Sequence, residues 1–194
     1  MSGLLALSPT DVWAVGHGCV GSRGCGGTPL VRPVVLHYDG TKWSAIPTAR
    51  VRAAGSSFRG IAGRRSRPLW AVGWRARTRH SNSRPLVERL ANGHWSVGAA
   101  PAIYGIMFAA DTAPGAPVWA VGDRRAGGGF RTLAARHSSS GWRAVASPSP
   151  AGKMSFLSSV AVLSRSDVWA TGQSVSGAFL LHWNGTRWAL IHAP

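Results

Sequence analysis

A chain of 194 residues with 22 basic and 6 acidic side chains has a formal charge of +16, and 45% of it is apolar. That suffices for one domain with a sizeable core, while no run of 18 apolar residues offers a membrane-spanning helix. Abundant Gly (25) and Pro (12) argue for short strands joined by turns. Lys42 and Lys153 are the only lysines. So arginine-heavy a composition is what GC-rich coding produces, and its field would also attract nucleic acid, acidic glycan or anionic cell-wall polymer.

In chain order, Met1 to Pro9 lacks a basic n-region and is too short for a signal peptide. Leu4 to Ser8 is expected as a first strand, Pro9-Thr10-Asp11 as a turn and Val12 to Gly16 as a second strand. Val34 to Tyr38 follows as a third, Asp39-Gly40 as a hairpin turn and Thr41 to Ile46 as a fourth. Between the second and third strands lie Cys19 and Cys25, six residues apart in a Gly-rich insert. They are placed to close a small disulfide loop in an oxidising compartment. No further ligands stand at metal-binding spacing, and neither metal nor cofactor is expected.

The same unit recurs. The phrase around Trp13 returns at Trp70, Trp119 and Trp169 as Val/Leu-Trp-Ala-Val/Thr-Gly, and a second tryptophan follows at Trp43, Trp95, Trp142 and Trp188. Successive second tryptophans are 52, 47 and 46 residues apart. The fourth copy is the cleanest, with strands expected at Ser158 to Ser164, Val168 to Gly172, Phe179 to Trp183 and Thr186 to Ile191, the last two joined by Asn184-Gly185. Asp11 and Asp167 stand two residues before their tryptophans, where an Asx turn would cap backbone N–H groups. Pro68 and Pro117 fill that slot in the middle copies. A basic residue always stands six before the second tryptophan: His37, Arg89, Arg136 and His182. Either these lie on a solvated edge, or they form a channel-facing ring that would hold an anion.

A four-stranded unit of this period predicts a β-propeller of four antiparallel blades, all-β, at about 1–50, 51–101, 102–150 and 151–194. Stacking blades would bury the eight tryptophans as an inter-blade core, each removing roughly 150–250 Å² from water. Trp74 and Trp183 stand outside the two repeated slots, and Trp74 is expected in an exposed loop. Either the chain is a compact four-bladed ring, or it is a piece of a larger propeller and would meet upstream blades or another copy.

The Asp-Val-Trp-Ala-Val-Gly and Asp-Gly-Thr-x-Trp repeats resemble those of bacterial, actinobacterial-type propeller proteins, related in design to kelch and galactose-oxidase propellers. Asp39-Gly40-Thr41-Lys42-Trp43 and Asn184-Gly185-Thr186-Arg187-Trp188 also resemble the Asp-box turns of sialidase-like blades. The middle copies depart, having Ala91-Asn92-Gly93 and Ser139-Ser140-Gly141. The resemblance implies a scaffold that hosts enzymes, lectins and binding modules alike.

Of the six acids, Asp11, Asp39 and Asp167 are turn residues by position, and Glu88 has Arg89 beside it; Asp111 and Asp123 complete the set. No facing carboxylate pair can be argued for a glycosidase. A sialidase-like site would have to be assembled from Arg59, Arg89, Tyr104 and Glu88, whose geometry the sequence leaves open. The loops after the second strands hold Arg75, Arg77, Arg79, His80 and Arg84, then Arg124, Arg125 and Arg131. Beside Trp74 they would make a positive rim for phosphate, sulfate or carboxylate. The expected function is a non-catalytic binding module for an anionic polysaccharide or other polyanion, secreted or at the cell surface. The alternative is a glycan-acting hydrolase.

Overall fold

The computed structural model describes residues 1–20, 30–65, 67–78, 82–150, 152 and 154–191. Its strands form four antiparallel sheets of four, each built from consecutive strands in chain order. The first sheet holds β1 (Gly3–Ser8), β2 (Asp11–Val20), β3 (Leu30–Tyr38) and β4 (Trp43–Ile46). The second holds β5 (Gly55–Ala62), β6 (Leu69–Ala76), β7 (Arg84–Ala91) and β8 (His94–Val97). The third holds β9 (Gly105–Asp111), β10 (Trp119–Ala126), β11 (Gly129–Ser138) and β12 (Gly141–Val145). The fourth holds β13 (Ser155–Val162), β14 (Val168–Ser174), β15 (Gly177–Trp183) and β16 (Trp188–Ile191). These are four blades of a β-propeller, as the repeat predicts.

Each blade lays its first strand across the middle strands of the blade before it, β5 on β2 and β3, β9 on β6 and β7, β13 on β10 and β11. Three apolar clusters result. Val15 and Val35 meet Phe58, Ile61 and Leu86 between blades one and two. Val72 and Val87 meet Met107, Ala120 and Leu133 between two and three. Val121 and Ala134 meet Leu157, Val160 and Leu181 between three and four. Among the described residues no apolar cluster joins the fourth blade back to the first.

Six of the eight repeated tryptophans lock these seams; Trp43, 48% exposed, and Trp169, paired with no second tryptophan, do not join the inter-blade core expected of all eight. The first tryptophan of one blade meets the second of the next edge to face: Trp13 and Trp95 at 6.2 Å, Trp70 and Trp142 at 5.7 Å, Trp119 and Trp188 at 5.2 Å between ring centroids. Aromatic pairs favour this geometry because the positive ring edge points at the negative face. Trp183, outside the repeated slots, joins the third seam at 5.1 Å from Trp119.

In blades two to four the glycine that ends the phrase is required by the inner strand. At Gly73 and Gly122 an added Cβ would sit 2.0 Å from the Ser57 carbonyl oxygen and 1.9 Å from that of Ile106. Both lie beside a β-bulge, between Phe58 and Gly60 in one blade and next to Met107 in the next, where the extra residue pushes backbone into the space a side chain would need.

The hairpin turns follow their side chains. Asp39 Oδ1 accepts from the Thr41 N–H at 2.9 Å, the Thr41 hydroxyl at 2.7 Å and the Lys42 N–H at 3.0 Å. Asn184 Oδ1 repeats this at 3.0, 2.8 and 3.0 Å with Thr186 and Arg187. These donors hold the Asp39 carboxyl well below the usual carboxylate range. Because the turn uses Thr41 and Lys42, β4 begins at Trp43 rather than Thr41.

Three expectations are corrected. Asp11 and Asp167 do not cap backbone N–H groups: each carboxylate accepts from the indole of its own blade, Trp13 or Trp169, at 2.9 Å. It also meets the imidazole Nε2 of His37 at 3.0 Å or His182 at 2.9 Å. The four basic residues form no channel ring: Arg89 and Arg136 are exposed, as the solvated-edge reading expects, and all four pack on a tryptophan. His37 stacks on Trp13 at 4.2 Å and His182 on Trp169 at 4.3 Å, while Arg89 lies 5.8 Å over Trp70 and Arg136 5.5 Å over Trp183. Trp74 lies inside β6, not in an exposed loop, and its ring covers Gly55.

Candidate functional site

Antiparallel blades put all β2–β3, β6–β7, β10–β11 and β14–β15 connections on one face, together with the linkers between blades. On that face, between blades two and three, lies a cleft of about 340 Å³ lined by Arg52, Ala53, Arg75, Arg77, Asn82, Arg84 and Tyr104. Arg75 and Arg84 are cross-strand partners of β6 and β7. The linker before β5 supplies Arg52, and the linker before β9 supplies Tyr104. The Arg84 guanidinium lies 4.5 Å over the Tyr104 ring, which is itself half exposed. No acidic residue lines the cleft, and among the described residues the ion pairs are His37–Asp11 and His182–Asp167, both elsewhere.

Arg124 and Arg131 of the third blade are cross-strand partners at the equivalent positions. Like charges placed directly opposite each other on a sheet cost stability, and this rim does so twice. The individual side chains nevertheless have different tasks. Arg131 donates to the Gly152 carbonyl at 2.6 Å, as Arg32 of the first blade donates to the Ala53 carbonyl at 2.9 Å. Each thereby ties a linker to the blade before it. Arg125 donates to Asn82 Oδ1 and lies 5.4 Å over the Phe130 ring, fastening the third blade's hairpin to the cleft wall.

Of the arginines expected to share a rim, the structure gathers Arg75, Arg77 and Arg84 into one cleft and brings Arg125 to its edge. Arg124 and Arg131 stay on the neighbouring hairpin, and Trp74 does not line the cleft. Arg79 and His80 lie outside the described residues, as does Cys25; Cys19 is disulfide-bonded. Sequence reasoning missed Arg52, which sits in a linker, and Tyr104 as the stacking partner of Arg84. It also missed Arg64, Arg65, Arg67 and Arg165 around a cavity of about 510 Å³ on the opposite face.

The acids are engaged in structure. Asp111 accepts from the Val162 N–H at 2.7 Å across the third seam. Glu88 accepts from the Ala49 N–H at 2.9 Å, holding the first linker, and burial raises its carboxyl to about 7. Burial likewise raises Asp123 to about 6, against a hydrogen bond from the Ile106 N–H. Arg59, Arg89, Tyr104 and Glu88 are not assembled: Arg89 is on Trp70, Tyr104 under Arg84, and Glu88 is fully buried. No helix among the described residues is long and apolar enough to cross a membrane, and no group of three potential metal ligands occurs among them.

No family model matches the chain, and no curated protein matches it in sequence. Among solved structures it is similar to one described as "YCF48 bound to D1 peptide", at 14% identity and a TM-score of 0.44. That likeness covers 97% of this chain and spans 65% of the other. At that level it adds nothing to the four blades already described.

Proposed function

We propose that this chain is a non-catalytic binding module that takes an anionic polymer or acidic glycan in the arginine cleft between the second and third blades. The carrying observation is the Arg75–Arg84 pair, held opposite each other with Arg52 and Arg77 and no acid lining the cleft. Such an arrangement costs stability unless an anion occupies it. Forked guanidinium donors suit sulfate, carboxylate and phosphate oxygens, and the exposed Tyr104 ring offers a stacking surface for a sugar. An extracytoplasmic setting is supported by the disulfide at Cys19, since such bonds persist in oxidising compartments. The Asp-Val-Trp-Ala-Val-Gly design supports kinship with the bacterial propeller repeats.

The test is a binding titration with a sulfated oligosaccharide, monitored by calorimetry with the products checked for chain cleavage. Saturable binding of an uncleaved probe, weakened at least roughly tenfold in an Arg75→Ala/Arg84→Ala variant, is the expected result. Cleavage of the probe, or equal binding by the variant, would remove the reading.

A further inference from the structure

The three seams use up all but two members of the tryptophan lock. Trp169 of the fourth blade has its own His182 but no second tryptophan, and Trp43 of the first blade has only the tilted Tyr38 ring at 5.4 Å. Trp43 is 48% exposed where its equivalents Trp95, Trp142 and Trp188 are 7%, 7% and 4%. Leu4 is 67% exposed where its equivalents Ile61 and Val160 are 5% and 9%. At the other end Thr171 is exposed where Val15, Val72 and Val121 are fully buried. Thr has nearly the shape of Val, so a facing blade would still fit.

The uncovered fourth-blade face holds an apolar cavity of about 490 Å³ lined by Thr171, Phe179, Leu180, Leu190 and Ile191 among others, with no charged residue. The accessible surface, 10600 Å², exceeds by about 1,800 Å² the roughly 8,800 Å² of a folded monomer of 20.4 kDa. A standard interface needs only about 800 Å² per partner.

The two uncovered faces are opposite halves of an interface that the chain already makes three times. We propose that they are occupied by a second copy of this chain, Trp169 of each copy meeting Trp43 of the other edge to face. Two such contacts close a two-fold ring of eight blades and leave no face open. The basis is continuity with the internal seams: the same tryptophan slots, exposed Leu4 and Trp43 on one face, an uncharged apolar cavity on the other, and enough area. The high positive charge does not oppose it, because the arginine cleft lies at the loop rim and not on these faces. The proposal is independent of the ligand of that cleft.

The experiment is sedimentation velocity of the full chain from about 1 to 100 μM. The expected species has twice the 20.4 kDa chain mass. Trp43→Arg and Trp169→Arg each weaken self-association by at least roughly tenfold, as loss of a central aromatic anchor does. Circular dichroism and thermal melting show that both remain folded, since neither residue lies in an internal seam. Mixing the two variants restores a pair, because each keeps the half that the other lacks. A parent that stays at the single-chain mass at 100 μM, assemblies larger than two copies, or variants that dimerise as the parent does would each overturn the proposal.

Discussion

Glu88 makes the packing of the first seam measurable. Its carboxylate is fully buried, with the Ala49 N–H as partner of one oxygen and none for Oε1. Burial penalises the charged form and raises the pKa from 4.5 to about 7. The folded state therefore binds more protons than the unfolded chain between those two values. Stability is fully present below pH 4.5 and falls as pH rises towards 7, at up to about 1.4 kcal/mol per pH unit. The total loss is on the order of 3 kcal/mol. Glu88→Gln keeps an acceptor for the Ala49 N–H and cannot ionise, so it loses that slope. Urea unfolding of both proteins at pH 5, 6, 7 and 8 is the assay. The variant should gain on the parent by on the order of 3 kcal/mol between pH 5 and 8. Asp123 titrates in both proteins and cancels in the difference. A difference that does not change with pH would refute the reasoning, because it would mean that the carboxylate is solvated.

Trp119→Ala, at a fully buried ring locked by Trp183 and Trp188, should cost about 3–5 kcal/mol in thermal or urea unfolding. Trp43→Ala, at a half-exposed ring outside any internal seam, should cost well under half of that when measured on dilute protein. Asp11→Ala strips the acceptor from the Trp13 indole and His37 at once and should cost about 1–2 kcal/mol. Gly122→Ala places a methyl group where the Ile106 carbonyl stands, and the inner strand must shift at a cost of about 1–3 kcal/mol. Gly98→Ala, where φ is not left-handed and a Cβ would make only ordinary contacts of 3.5–3.8 Å, is the control for glycine replacement.

The fold was legible because its signals are local and repeated. A tryptophan every half-blade, a turn such as Asp39-Gly40 and a phrase-ending glycine mark strands without knowledge of their neighbours. Pairings across a sheet were harder to see. Asp11 and His37 are 26 residues apart, and their link shows only when Asp with His in the outer copies is set against Pro with Arg in the middle ones. The arginines were visible as a cluster, but their division of labour depends on where the linkers return. Arg32, Arg84 and Arg131 each stand directly before the aligned Pro33, Pro85 and Thr132, which was a readable sign of a shared role. Two of them bind linker carbonyls, and Arg84, which meets Tyr104 instead, is left facing the cleft. Nothing in a pattern of composition separates those outcomes.

The most direct test of the binding account is the salt dependence of affinity for a sulfated polymer, compared between two variants of equal charge. One is Arg75→Ala/Arg77→Ala/Arg84→Ala in the cleft, and the other is Arg64→Ala/Arg65→Ala/Arg67→Ala on the opposite face. Each guanidinium that contacts the polymer releases condensed counterions, so log affinity falls with log salt in proportion to the number of contacts. The cleft variant should lose affinity and have a shallower slope by about 2–3, while the opposite-face variant keeps the parent's slope. Equal losses in both variants would show a diffuse response to the net charge of +16 and would contradict a site in the cleft.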